Sequence, residues 1–261
     1  MSAVRRALPP MLILAGLLGL WELAARWEVL ADALGIEPFL VPAPSEVAEA
    51  LWNDRVLLAE DAWVTLQEVL LGFCIALVIG VGFAFALHLW PALRRALYPL
   101  LVASQTVPII VVAPILVVWF GYGIGPKLAI IALICFFPIT VNTLDGLRSV
   151  DRDQVRMMRT LDAGRMQILR RVEAPSALPY LFSGAKIAVA VAVIGAVFGE
   201  WAGSDSGLGH LMLQASGQLL TARLFAAVVV LSAFAIVLFG LLALLERRMG
   251  WWAPRAERRS A

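Results

Sequence analysis

Seven arginines crowd one stretch of this sequence: Arg148, Arg152, Arg156, Arg159, Arg165, Arg170 and Arg171. Leu161, Ile168, Leu169 and Val172 fall among them at near-helical spacing, so the stretch 151–179 reads as a short amphipathic helix. Pro175 and Pro179 are expected to stop it, because proline lacks the backbone donor and disfavours helix in the residue before it. Guanidinium groups beside an apolar stripe break no bonds. Their chemistry is docking: charge complementarity that chooses a soluble protein partner.

A second set of polar residues lies in apolar surroundings. Ser104, Gln105 and Thr106 share one apolar run with Pro108 and Pro114, and Asn142 lies near Pro138, Thr140 and Thr143 in another. Backbone carbonyls freed by proline are tolerated at membrane depth only where neighbours or a water-lined cavity satisfy them. Ser104, Gln105, Thr106, Asn142 and Glu200 are therefore candidates to line a pathway, although helix–helix hydrogen bonding explains Gln105 and Asn142 equally well. Glu22, Glu68, Lys186 and Glu200 are the ionisable residues expected inside apolar runs. They are too few for a proton relay. Glu22 and Lys186 can reach an interface along their stems, Glu68 can pair with a neighbouring helix, and Glu200 falls at an outer mouth, where gating or partner docking is open to it.

Catalytic patterns are missing. No GxxxxGK[ST] occurs, residues 121–127 (GYGIGPK) have the wrong order and read as a short outer loop, and HExxH and a glycine-flanked serine are absent. His88 and His210 are too far apart for a metal site, and Cys74 and Cys135 read as small buried hydrophobes. The expectation is a chain that is not an enzyme, with no cofactor, no metal and no nucleic-acid partner. Any energy source must sit on another protein.

The elements that position these residues are membrane spans. With 61% hydrophobic and 15% charged residues, the composition departs from the roughly 45–50% apolar and about 25% charged of soluble domains. Six stretches approach or exceed the roughly 20 residues needed to cross hydrocarbon, at about 9–25, 64–87, 97–120, 127–144, 180–202 and 225–245. The first resembles a signal peptide, but no small-x-small site follows before Arg26, and it is kept as a span. With both termini on one side, sixteen of the 21 basic residues fall there: Arg5, Arg6, Arg94, Arg95, the seven arginines above, Arg247, Arg248, Arg255, Arg258 and Arg259. The loop at about 27–62 carries eight acids against Arg55. The positive-inside rule then puts both termini in the cytoplasm. Within that outer loop Ser45 reads as an N-cap, with 48–51 a short surface helix. Trp21, Trp27, Trp52, Trp63, Trp90, Trp119, Trp201, Trp251 and Trp252 fall at span ends, as interfacial anchors do. Glycines at 72, 80, 82, 195 and 199 allow close helix approach.

The run LDAGRMQILRRVEAPSALPYLFSGAKIAV on the inner loop, with FLVPAPSEV and SQTVPIIVVAPILVVWFGYGIGPK, resembles the permease subunits of bacterial ABC importers. The likeness is to the branch serving nitrate, taurine, alkanesulfonates and thiamine pyrimidine precursors, and TLQEVLLGF, AVIGAVFGEW and GLGHLM are most similar to permeases for hydroxymethylpyrimidine-type precursors, with riboflavin permeases near. In that family the loop reads Glu-Ala-Ala, three residues, Gly, about nine residues, then I-x-L-P. Here Arg156, Met157 and Met158 stand at the first triplet, Asp162 at the glycine, and Val172, Ala174 and Pro175 at the end. The resemblance implies that Met157, Met158, Leu161, Asp162, Ala163, Gly164, Arg165, Ile168, Arg170, Arg171 and Pro175 couple to an ATPase. It further implies an all-α fold, a six-helix polytopic bundle forming one permease domain over 1–261, with a coupling loop at about 146–179. Two ABC ATPase subunits, a soluble substrate-binding protein, a second copy of the chain and membrane lipid are the implied partners. A channel or secondary carrier working without ATP is the rival expectation.

Overall fold

The computed structural model describes residues 2–249, and every regular element among them is helical. Trp251, Trp252, Arg255, Arg258 and Arg259 lie outside the described residues. The helices are α1 (Ser2–Arg26), α2 (Val29–Leu34), α3 (Pro44–Asn53), α4 (Arg55–Leu89), α5 (Pro91–Ala103), α6 (Ile109–Phe120) and α7 (Ile124–Arg148). They continue with α8 (Arg152–Thr160), α9 (Arg165–Ile168), α10 (Ala174–Gly203), α11 (Leu208–Gly217) and α12 (Thr221–Met249). Among the described residues, four helical stretches are long and apolar enough to cross a membrane: α4, α7, α9 continued into α10, and α12. A bent pair makes a fifth if its arms form one span. The predicted first span falls within the 25 helical residues of α1.

The described residues fall into two compact units, one up to residue 64 with 206–232, the other 65–205 with 233 onward. In the first unit Ser45 does not cap α3 as expected. Its N–H and hydroxyl both go to the Glu22 carboxylate, at 2.9 and 2.8 Å. The helix instead starts on Pro44, whose fixed φ suits a first helical position, and Glu46 reaches back to accept the Ala43 N–H at 3.0 Å. Asp54, just past the end of α3, accepts both arms of the Arg223 guanidinium at 2.7 and 2.9 Å, tying α3 to the first turn of α12.

The second unit is built on an antiparallel seam between α7 and α10. A Cβ on Gly184 would stand 2.6 Å from the Pro138 carbonyl oxygen and 2.8 Å from the Asn142 Cβ, so glycine is what lets these backbones meet. Along α10, Ala185, Ala188, Ala192 and Ala196 continue the small face, all buried. Small residues are the means by which helices associate in lipid, where no hydrophobic force drives them together. On its other side α7 takes α4 in parallel, with Thr140 donating its hydroxyl to the Gly80 carbonyl at 3.2 Å. Ala84, Leu87 and Leu144 pack below this contact and receive Leu93, Leu97 and Tyr98 of α5.

The stretch expected as one span at 97–120 is broken. Residues 91–106 and 109–120 meet at an angle of 100°. Pro108 removes a donor and pushes Val107 out of helical space, and Val107 is extended at ψ 119. Ser104 and Thr106 return their hydroxyls to the carbonyls of Leu101 and Ala103, at 2.7 and 2.8 Å, so the break does not leave those oxygens bare.

Gly184→Ala should lower the apparent Tm of the purified protein by an amount matching about 1–3 kcal/mol of overpacking. Gly82→Ala, where a Cβ meets nothing within 4 Å, should leave Tm unchanged or slightly raised. Equal Tm for the two variants, followed by tryptophan fluorescence on heating, would remove the seam argument.

Candidate functional site

The arginine-rich stretch is two helices with a sharp turn between them. Asp151 caps α8 by accepting the Asp153 N–H at 2.9 Å. At the far end the Ala163 N–H reaches the Met158 carbonyl at 3.0 Å and the Asp162 N–H reaches that of Arg159 at 3.1 Å. That pair of bonds is a Schellman closure, which requires a left-handed residue at Asp162, and its φ is 54. Gly164 then donates to the Gln167 side chain at 3.0 Å and opens α9. Pro175 and Pro179 do not stop the helix, contrary to expectation. Residues Leu169–Glu173 form a π-turn that carries α9 into α10, and Pro175 falls in the first turn of α10, where a missing N–H is least costly. Pro179 lies one turn further inside the same helix.

Burial sorts the side chains of this segment. Ile168 and Leu169 are buried, Leu169 against Leu147 and Ala177, and they hold the segment to the unit. Met157, Leu161 and Met166 are 60, 71 and 50% exposed, an apolar surface on an otherwise charged segment. Arg156, Arg159, Arg165, Arg170 and Arg171 are exposed around them, whereas Met158, Ala163 and Pro175 are half-buried. The segment is fastened to the end of α4 by two bonds. His88 Nε2 meets the Glu173 carboxylate at 2.8 Å, and the Arg165 guanidinium donates to the His88 carbonyl at 3.2 Å.

The residues expected on a pathway separate into three places. Ser104 and Gln105 stand at the break and line a cavity of about 480 Å³ with Pro108, Leu133, Ile134, Val191 and Ile194, none of them charged. Thr106 is exposed beside it. Asn142 donates to the Pro138 carbonyl of its own helix at 2.8 Å and abuts Gly184, inside the α7–α10 seam. Glu200 is 1% exposed and accepts the Thr65 hydroxyl at 2.6 Å, at the end of α10 remote from the arginine-rich segment.

Glu200 belongs to a buried charged cluster. Lys127, 6% exposed, donates to the Glu68 carboxylate and, at 2.8 Å, to the Ser204 hydroxyl. Glu68 is 2% exposed. Lys127 had read as the end of an outer loop. The signal that could have found it is depth: an acid one turn into one span and a base at the first turn of another pair at the same level. The other missed contacts are His88 with Glu173 and Lys186 with Glu246 at 2.8 Å.

Residues 76–251 match the family of binding-protein-dependent transport system inner membrane components. The chain belongs to that family. This permease is 37% identical over 251 residues to the formylaminopyrimidine transport permease protein ThiX of Halalkalibacterium halodurans, covering 96% of this chain and 98% of that one. It is 39% identical over 228 residues to the riboflavin transport system permease protein RibX of Chloroflexus aurantiacus, covering 87 and 85%. Its fold is like that of the MetNI methionine ABC transporter in an inward-facing conformation, with a TM-score of 0.66 and 22% identity over 76% of this chain and 98% of that one.

Lys127→Met should destabilise the permease by about 3–5 kcal/mol, because it strands a buried carboxylate. Adding Glu68→Gln should recover most of that loss; a double-mutant cycle in thermal unfolding reads the difference, and simple additivity would mean that the pair is not coupled. Asp162→Gly should stabilise by up to about 1 kcal/mol, since glycine adopts the left-handed turn without a Cβ penalty. Lowered stability of that variant would show a role for the Asp162 carboxylate itself.

Proposed function

We propose that this permease is the membrane pathway of an ATP-driven importer, worked by two ABC ATPase subunits that grip α8 and α9. The observation that carries the reading is the exposed apolar surface of Met157, Leu161 and Met166 ringed by unburied arginines, a surface of the kind that marks protein–protein sites. Its coupling residues are Met157, Met158, Leu161, Asp162, Ala163, Gly164, Arg165, Ile168, Arg170, Arg171 and Pro175. Both termini and the coupling segment lie in the cytoplasm, following the arginine bias. The whole chain acts as one permease domain, two copies form the pathway, and a soluble binding protein delivers the solute on the opposite side. ATP hydrolysis belongs to the partner subunits.

The solute is a small organic molecule, and we infer a thiamine pyrimidine precursor of the hydroxymethylpyrimidine type. Two things support this: the similarity to ThiX across nearly the whole chain, and a cavity at Ser104 and Gln105 that is apolar apart from a carboxamide and a hydroxyl. Such walls suit an uncharged ring with hydrogen-bonding edges and offer no cation to a sulfonate, taurine or nitrate. Riboflavin is the second reading, favoured by the similarity to RibX. A carrier or channel independent of ATP is the reading from another class.

Gentle purification from native membranes should bring down a stoichiometric ATPase. Changing Arg165, Arg170 and Arg171 together to Glu should lower its recovery at least about tenfold, since like charges across an interface cost several kcal/mol. A chain that emerges alone and moves solute in vesicles without ATP would overturn the proposal.

A further inference from the structure

Between α4, α7 and the start of α10 lies a cavity of about 330 Å³, apart from the exposed methionines and the broken helix but sharing Arg170 and Pro175 with the proposed coupling residues. Val81, Phe85, Leu178 and Leu181 give it apolar walls, and Thr143 and Arg170 give it polar ones. Thr143 is 1% exposed, and its hydroxyl has no hydrogen-bond partner among the described residues. Helical threonines ordinarily return that hydroxyl to a carbonyl one turn back, and buried polar groups are rarely left unpaired. Arg170 is exposed and takes part in none of the ion pairs among the described residues; Glu173, the nearest acid along the chain, is held by His88. Phe85 and Val81 precede the end of α4 by four and eight residues, and Thr143 precedes the end of α7 by five. At 1.5 Å per residue the cavity is roughly 6–12 Å inside the helix ends, which, with those ends at the membrane surface, is the level where headgroups give way to acyl chains.

We propose that this cavity binds an anionic phospholipid, its phosphate held by Arg170 and the Thr143 hydroxyl and the top of one acyl chain lying along Val81, Phe85, Leu178 and Leu181. A guanidinium matches a phosphate oxyanion in both charge and donor geometry. Inorganic phosphate shares that chemistry but leaves the apolar walls bare. A phosphatidylcholine headgroup brings its own cation to the phosphate and leaves Arg170 uncompensated.

The test reconstitutes the full-length permease in phosphatidylcholine vesicles with photoactivatable phosphatidylglycerol or the matching phosphatidylcholine probe, and maps the labelled peptides. Phosphatidylglycerol should label the peptides holding Val81 and Phe85 and those holding Leu178 and Leu181 about fivefold more than phosphatidylcholine does, as expected for one arginine at an anionic headgroup. Arg170→Gln and Thr143→Val should reduce the labelling to the phosphatidylcholine level, and Thr143→Ser, which keeps the hydroxyl, should restore it. Equal labelling by both probes, labelling spread evenly over the lipid-facing helices, or no loss in Arg170→Gln would overturn the proposal. Loss of labelling on adding millimolar inorganic phosphate would assign the site to a soluble anion and reject the lipid.

Discussion

The closeness of α7 and α10 is the constraint on which the second unit depends. Their backbones meet at Gly184 with no room for a Cβ, and everything else in the unit is placed from that seam. At one end Gly199 lets the backbone of α10 pass the base of Lys127, which brings that lysine to Glu68 of α4. At the other end Gly146 meets Ala177 and Tyr180, and Leu147 closes on Leu169. In hydrocarbon a charge is tolerated only when paired, and a polar backbone only when bonded. The unit follows this closely: among the described residues its buried charges are concentrated at one end, and the α5–α6 break carries its own hydroxyl partners.

The same seam decides how a displacement of the arginine-rich segment would spread. No flexible linker separates α9 from α10, because the π-turn at Leu169–Glu173 keeps the chain helical between them. π-turns are costly to keep and recur at functional positions. Here it absorbs one residue of register, so that Ile168 and Leu169 face inward while Arg170 and Arg171 remain outside. Glu173 and Arg165 then bind the segment to His88 at the end of α4. On the proposed reading, a force on α8 enters α4, α7 and α10 as one frame. The part left to yield is the α5–α6 break, whose angle rests on Pro108 and short local bonds.

What the sequence made legible was the pattern of oil and charge. The all-helical class, the apolar stretches and the polar segment at 151–179 follow from composition and spacing, because lipid permits few alternatives. The errors share one cause. Ser45, Pro175 and Pro179 were assigned by local rules for caps and stops, and each local rule lost to a longer-range contact or a change of helix type: Glu22 claims Ser45, and the π-turn carries the helix past both prolines. The Glu68–Lys127 pair was invisible for a related reason. Its members are 59 residues apart, and only the register of α4 against α7 brings them level.

The segment at 151–179 shows how letters can change while a backbone shape persists. Where the family loop has glycine this chain has Asp162, yet the backbone takes the left-handed turn that glycine would serve, aspartate being among the few side chains that visit it. Where the family has an acid this chain has Arg156, which contacts Asp153 at 3.0 Å on its own helix. Both of those side chains are more than three-quarters exposed, and such a pair contributes little, about 0–1 kcal/mol. It breaks readily in favour of a better partner, so Arg156 remains available to an acidic surface. On the proposed reading, the turn and the exposed methionines keep the shape of the docking surface, and the reversed charge at Arg156 would narrow which ATPase fits it.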